Sequence, residues 1–335
     1  MTDAAATGLA YVEPEPGGGP RLAHFPVTFF AVVMGLAGGA LAWQRAAEVL
    51  GAPDGVGRAM FWVAATAYAA VLLAYLAKLV RYPAAVRAEL HHPVRLAFVP
   101  TVTIALLLVA AAGQEVAATL SAAAWWVGTV GQLVLTLYVL TAWISRPVFG
   151  MQHVTPAWFI PVVGTLAVPL AGVTHGPVEV SWFFFSIGVV FWAALLPLVF
   201  TRLFVHDEPV PARLLPTLAV LIAPPAVAML ALLRLAPDGF GAGARVLYYS
   251  ALFFGLLFVA SAGQLRRLPF FLSWWAYSFP AAALSVSTTV MAREVGGTVL
   301  EVLAWTLLAV VSALLAVLAV RTVLAMVGGR VCVPE

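Results

Sequence analysis

The sequence predicts an all-α polytopic membrane protein. Ten transmembrane helices are expected as five helical hairpins, the odd-numbered helices inside and the even-numbered ones outside. Three observations predict this. Of 335 residues, 63% are hydrophobic and only 9% are charged, against about 25% charged in a soluble domain. That is too little charge to clothe a soluble protein of this size. Apolar stretches near the 20 residues a bilayer-spanning helix needs recur along the whole chain. Prolines then fall mostly in alternate stretches.

Residues 1–24 are rich in Gly, Pro and Glu, as in "VEPEPGGGP". They hold no apolar run of signal-peptide length, and they read as a disordered tail. The first segment, 26–49, opens at Pro26 and is expected to stay in the membrane. The second is 57–79, followed by the longest connector, 80–94. The third, 95–113, contains Pro100, and the fourth, 117–144, has no proline. The fifth, 156–174, contains Pro161 and Pro169. The sixth, 179–203, contains Pro197, the one interior proline among the even segments. The seventh, 212–236, contains Pro216, Pro224 and Pro225, and the eighth is 244–264. The ninth, 269–291, contains "FFLSWWAYSFPAAALS" with Pro280, and the tenth is 298–320. Residues 323–335 form a second tail, so the spanning domain is 25–322. First members of successive pairs recur at a regular spacing, the signature of a repeated supersecondary unit.

Proline in a helix interior removes a backbone donor and bends the chain. In hydrocarbon the freed carbonyl must be satisfied by protein or water. Bent odd segments therefore belong in the interior or beside a wet cavity, and straight even ones can face lipid or a partner. With ten spans both termini share a side. That side receives Arg21, Lys78, Arg81, Arg87, Arg95, Arg146, Arg202, Arg213, Arg266, Arg267, Arg321 and Arg330. The other receives Arg45, Arg58, Arg234, Arg245 and Arg293. Loops rich in Lys and Arg are cytoplasmic, so both termini are expected in the cytoplasm of a multi-pass cell-membrane protein.

A formal charge of +3 gives no reason to expect nucleic acid. No acidic or basic residue lies near the middle of a segment, which favours passive conduction over ion-coupled transport. His91 and His92 are adjacent, so on a helix their rings diverge, and no HExxH pattern or i,i+4 pair exists. No metal and no cofactor are expected. The lone Cys332 excludes an intrachain disulfide. GxSxG, P-loop and carboxylate-dyad patterns are missing, which leaves an enzyme no constellation to work with.

Five stretches resemble a known family: "FPVTFFAVVMG" at 25–35, "HPVRLAFVP" at 92–100, "TPAWFIPVVG" at 155–164, "LLPTLAVLIAPPAVAML" at 214–230 and "WWAYSFP" at 274–280. Each lies on or at the start of an odd segment. Together they resemble the tellurite-resistance/dicarboxylate transporter family, which includes the slow anion channels of plant guard cells. The resemblance implies odd helices lining a central pore, a homotrimer with one pore per protomer, and small anions such as chloride and nitrate as partners alongside membrane lipid. It implies a gate, a ninth-helix phenylalanine matched here by Phe279. Pore-lining candidates are Thr28, Phe30, Pro100, Pro161, Pro224 and Pro280. One departure stands out: Thr28 and Ala31 replace two glycines of a common first-helix motif.

The expected function is thus an anion channel, with Phe279 turned to the pore axis by the Pro280 bend and braced by Trp274 and Trp275. Such a plug works by sterics and dewetting. Arg95, Arg213, Arg266 and Arg267 are the candidates for attracting anions at the cytoplasmic mouth; their other role is to set topology. The alternatives are a malate or tellurite transporter and a membrane scaffold without transport. Small residues in "LSAAAWW" at 120–126 suit helix–helix contact between subunits.

Overall fold

The computed structural model describes residues 21–205, 210–236, 239–261, 263 and 269–332. Among them every regular element is helical. In chain order these are α1 (Val27–Leu50), α2 (Asp54–Arg81), α3 (Pro83–His91), α4 (Arg95–Gly113), α5 (Ala118–Ser145), α6 (Pro156–His175), α7 (Val178–Phe204), α8 (Ala212–Leu235), α9 (Ala242–Ala260), α10 (Ser278–Val295) and α11 (Thr298–Val327). Among the described residues nine helices are long and apolar enough to cross a membrane, namely all but α3 and α10. The exception in α10 has a cause in its sequence. Ser278, Ser285, Ser287, Thr288 and Thr289 lie on it, and all five are buried. Thr288 and Thr289 donate back to the carbonyls of Leu284 and Ser285 at 2.8 and 2.9 Å, so burying them costs little.

Burial sorts the helices as the prolines do. In α1, α4, α6 and α8, 61–89% of the most apolar window is buried, against 11–33% in α2, α5, α7, α9 and α11. Helix α1 packs on α4 and α10, α6 on α4 and α8, and α8 on α10, which closes an inner ring of five. Each ring helix also packs on the outer helix that follows it. The outer helices turn apolar side chains such as Leu73, Val127, Val190 and Val310 to the surroundings, the surface that lipid requires.

The bends are stretches of 3₁₀ helix, and all five inner helices have them: Val27–Phe29, Arg95–Phe98, Pro156–Trp158 and Gly164–Ala167, Ala212–Ile222, and Leu272–Tyr277 leading into α10. Outer helices supply donors where inner ones break. Gln132 of α5 donates to the Pro161 carbonyl at 3.1 Å, and Thr136 to the same oxygen at 2.7 Å. The Gln132 amide oxygen accepts from Thr103 of α4 at 2.6 Å. Pro197 does not break α7; Thr201 donates to its carbonyl at 2.9 Å.

Helices α1 and α10 cross closely because α1 carries glycine there. A Cβ at Gly35 would overlap the Ser278 hydroxyl, and one at Gly38 would lie 3.0 Å from the Ala282 Cβ and 3.3 Å from Phe279 Cδ2.

Three boundaries differ from expectation. Arg21–His24 form a 3₁₀ turn within the segment read as tail. Helix α11 runs on to Val327, past the predicted end at 320, because its apolar sequence continues. The 80–94 connector holds α3, and its docking is ionic. Lys78 Nζ lies 2.7 Å from Glu89 Oε1 and donates to the Phe25 carbonyl at 2.8 Å. Tyr75 donates to Glu89 Oε2 at 2.9 Å. Lys78 and Glu89 are 1% and 4% exposed. The described chain ends meet at this side of the bundle, where Gly329 lies against the Arg21 guanidinium.

Candidate functional site

The ring of five helices is not filled along its axis. At the end away from the termini it holds a vestibule of about 780 Å³. Apolar residues from all five helices line it, among them Leu41 of α1, Ala111 of α4, Leu170 of α6, Val227 of α8 and Val286 of α10, and so do charged ones, among them Arg45, Glu48, Glu115, Arg234 and Arg293. On the terminal side lies a second cavity of about 80 Å³, bordered by Ala31, Phe98, Thr101, Ile104, Ile160, Val163, Ala223, Pro224, Trp275 and Pro280 among others. Phe279 and Val227 border both. Every inner helix contributes to the walls, and of the outer helices only the first turn of α2 does, through Asp54 and Arg58.

Local sequence explains where Phe279 sits. The 3₁₀ turn Leu272–Tyr277 switches to α-helix at Ser278, one residue before it. Pro280 follows without an N–H to give, which a first-turn position tolerates. The turn is anchored by Trp275, 1% exposed, whose indole N–H donates to Thr322 of α11 at 2.8 Å. Trp274 packs its ring on Phe270 and Tyr277, both at 5.8 Å. Gly38 of α1 leaves the room that the Phe279 ring occupies.

Of the pore-lining candidates, Pro224 and Pro280 border the terminal-side cavity with Phe279. Thr28, Phe30, Pro100 and Pro161 border neither cavity. Phe30 turns the other way: it is fully buried, its ring edge-on to Tyr68 and Tyr75 of α2 at 5.8 and 6.0 Å. Pro161 belongs to the contact with α5 through its carbonyl. The Pro161 carbonyl turns to donors on α5, whereas the Pro100 carbonyl accepts from Thr103 of its own helix. Ile104, one turn after Pro100, and Val163, two residues after Pro161, border the terminal-side cavity instead. Ala31 does line the cavity, where its methyl stands in place of the family's glycine hydrogen.

Arg95 and Arg213 lie at the starts of α4 and α8, on the terminal side, and border neither cavity. The Arg213 guanidinium covers the Phe271 ring at 5.6 Å. Arg266, Arg267 and His206 lie outside the described residues. Among the described residues no three of His, Cys, Asp and Glu come together as a metal site. His175 shares a hydrogen bond with Ser121 at 2.7 Å.

The rim of the vestibule holds what sequence reading passed over. Gln44 donates to the Ala112 carbonyl at 2.8 Å. Gln114 donates to the carbonyls of Ala111 and Leu170 at 2.9 and 3.3 Å. Arg234 donates to the Gln114 amide oxygen at 2.7 Å and to Thr174 at 3.2 Å. A signal was present: Gln44, Gln114 and Arg234 all fall near the same end of odd segments. Arg234 is also one of the few basic residues on its side of the membrane, a count that by itself gives it only a role in orientation.

Comparison with known proteins agrees with this geometry. The family model described as SLAC1, voltage-dependent anion channel, matches residues 24–323. The S-type anion channel SLAH2 of Arabidopsis thaliana is 29% identical over 300 residues, covering 87% of this chain and 57% of that protein. SLAH3 of the same plant is 26% identical, over 91% of this chain and 49% of that protein. The chain thus spans about half the length of these plant relatives. The tellurite resistance protein TehA homolog of Haemophilus influenzae is 28% identical over 79% of this chain and 80% of its own length. With a family match over nearly the whole chain, this protein belongs to the voltage-dependent anion channel family whose model carries the name SLAC1.

Proposed function

We propose that the chain is a channel for small anions, chloride and nitrate, and that the Phe279 ring is its gate. One observation carries the reading: Phe279, together with Val227, borders the vestibule and the terminal-side cavity alike, and it is the bulkier of the two. An apolar constriction of this kind stops ions by filling the path and by excluding the water they travel in. Among the described residues the buried Lys78–Glu89 pair borders neither cavity and lies beneath α3. The reading also places both termini in the cytoplasm, with 25–322 as the conducting domain and three copies per assembly, each with its own path. The outer helices supply the surface for lipid and for the neighbouring copies.

A second reading, transport of malate or tellurite, draws support from the likeness to the tellurite resistance protein. It differs in needing a saturable site and alternating access. Chloride currents across a planar bilayer, set beside thermal unfolding of the same preparations, decide between gate and core residue. Phe→Ala in a packed core costs about 3–5 kcal/mol. Phe279 already borders open space, so Phe279→Ala is expected to lose less stability and to conduct more, with Phe279→Leu between it and the parent. A folded Phe279→Ala protein with parental current overturns the gate. Uptake that saturates with malate or tellurite, without current reversing at the chloride equilibrium potential, favours the carrier.

A further inference from the structure

We propose that the vestibule contains a binding site for a small, weakly hydrated anion, nitrate before chloride, centred on the Arg234 guanidinium. The proposal rests on the pore reading for its place in function, but its chemistry stands on the rim alone.

The rim charges are largely spent on one another. Arg45 lies 2.6 Å from Glu48, and Arg58 3.4 Å from Asp54. Arg293, at the end of α10, lies 2.7 Å from Glu294. Arg234 differs. Among the described residues it takes part in no ion pair, and its two hydrogen bonds go to neutral oxygens, those of Gln114 and Thr174. Its Nε is buried without an acceptor. Glu48 and Glu115 border the same vestibule, yet neither bonds to it.

The guanidinium is also held still. Gln114 is fixed by its two amide bonds to the carbonyls of Ala111 and Leu170. Thr174 donates to the Gln114 oxygen at 3.0 Å. Donors and acceptors from the ends of α4, α6 and α8 thus converge on one cation at the wall of a 780 Å³ space. Glu48 and Glu115 act on this half-buried cation through space, but its hydrogen bonds go only to neutral dipoles, so it still attracts an anion that can enter. A guanidinium prefers planar oxyanions, which accept two parallel N–H bonds, and it is more weakly hydrated than an ammonium. Nitrate has that shape, chloride does not, and the apolar walls below favour the anion that sheds water more readily. The site then concentrates anions at the entrance and orders them before the constriction.

Two measurements test this, one of binding and one of current. Purified protein is titrated with sodium nitrate at constant ionic strength, chloride making up the balance, and its thermal unfolding is followed. A ligand that binds the folded state raises the unfolding temperature. The parent is expected to gain stability as nitrate replaces chloride, and Arg234→Gln to lose that gain. Thr174→Asp keeps the arginine but gives it an internal carboxylate; it is expected to lose the gain too, which guards against a folding defect in the first variant. Currents are then read in the Phe279→Ala background. There Arg234→Gln should raise the half-saturating nitrate concentration on the vestibule side by about tenfold, the worth of one charge-assisted hydrogen bond, with no change from the other side. Arg234→Lys should keep anion-over-cation selectivity and lose the preference for nitrate. A nitrate gain that persists in both Arg234→Gln and Thr174→Asp overturns the site. Loss of the gain without any current in the Phe279→Ala background upholds the site and sinks the channel reading instead.

Discussion

Phe279 and Gly38 act as one contact. The α-carbon hydrogen of Gly38 faces the Phe279 ring, and a methyl there would come within 3.3 Å of Phe279 Cδ2 and 3.0 Å of the Ala282 Cβ. Those distances are tight but not impossible, and alanine in a helix gains roughly 0.5–1 kcal/mol over glycine. Gly38→Ala is therefore expected to fold with near-parental stability. In a channel gated by Phe279 it should lower conductance by crowding the ring, and that effect should vanish in the Phe279→Ala background. A double-mutant cycle on chloride current reads this directly; equal effects in both backgrounds would separate Gly38 from the gate. Gly35→Ala should behave differently, because its methyl would meet the Ser278 hydroxyl with no space to yield. Its expected outcome is a lower unfolding temperature.

Helices here are held in place by groups that composition alone makes look out of place. Gln132 sits fully buried in α5 and joins α4 and α6 through Thr103 and the Pro161 carbonyl. Gln132→Leu removes the donor, and Thr136 alone then serves the carbonyl. A buried group left unsatisfied costs about 1–3 kcal/mol, so thermal unfolding should drop within that range, and less if Thr136 suffices. Connector helix α3 depends on a buried ion pair. Glu89→Leu leaves Lys78 charged and buried, which typically costs 3–5 kcal/mol, roughly what breaking such a pair does elsewhere. Replacing Lys78 and Glu89 together by leucine should recover most of that loss, because both desolvation penalties leave at once. Unfolding of Glu89→Leu and of the double variant in lipid nanodiscs checks the sign.

For the whole molecule, two arrangements remain to be measured. If both termini are cytoplasmic, a cysteine placed at the exposed Ala84 of α3 should resist a membrane-impermeant reagent in intact cells, and one placed at Gly55 should react. The background for this is Cys332→Ser. Burial pushes the Cys332 thiol up from its ordinary range, against the pull of Arg21 and Lys78. In the parent its labelling should rise at more alkaline pH than that of an exposed thiol. The second arrangement is assembly: native mass spectrometry in mild detergent should show three copies, and monomer alone would count against the trimer. The exposed apolar face of α5, with Trp126, Val127 and Val130, is where contact or lipid must cover it.

The sequence alone determined the fold class and the division of labour among helices. Scarcity of charge forces burial of apolar surface in lipid, and proline removes a donor wherever it falls, so an all-helical membrane protein with its 3₁₀ breaks in alternate segments could be read from the residues, while nine helices among those described are long and apolar enough to cross. The family motifs then pointed to Phe279. Only the tertiary structure decided which side chains meet on the axis. Bending tells where a helix breaks but not which way its residues turn, so Phe30 and Pro161 contact the outer helices while Ile104, Val163 and Val227 border the terminal-side cavity. Nor could one-dimensional reading pair Lys78 with Glu89, or set Arg234 against Gln114 and Thr174. The Arg234 bonds join residues 120 and 60 positions apart; a contact at that separation leaves no periodicity in the chain and exists only once the ring has closed.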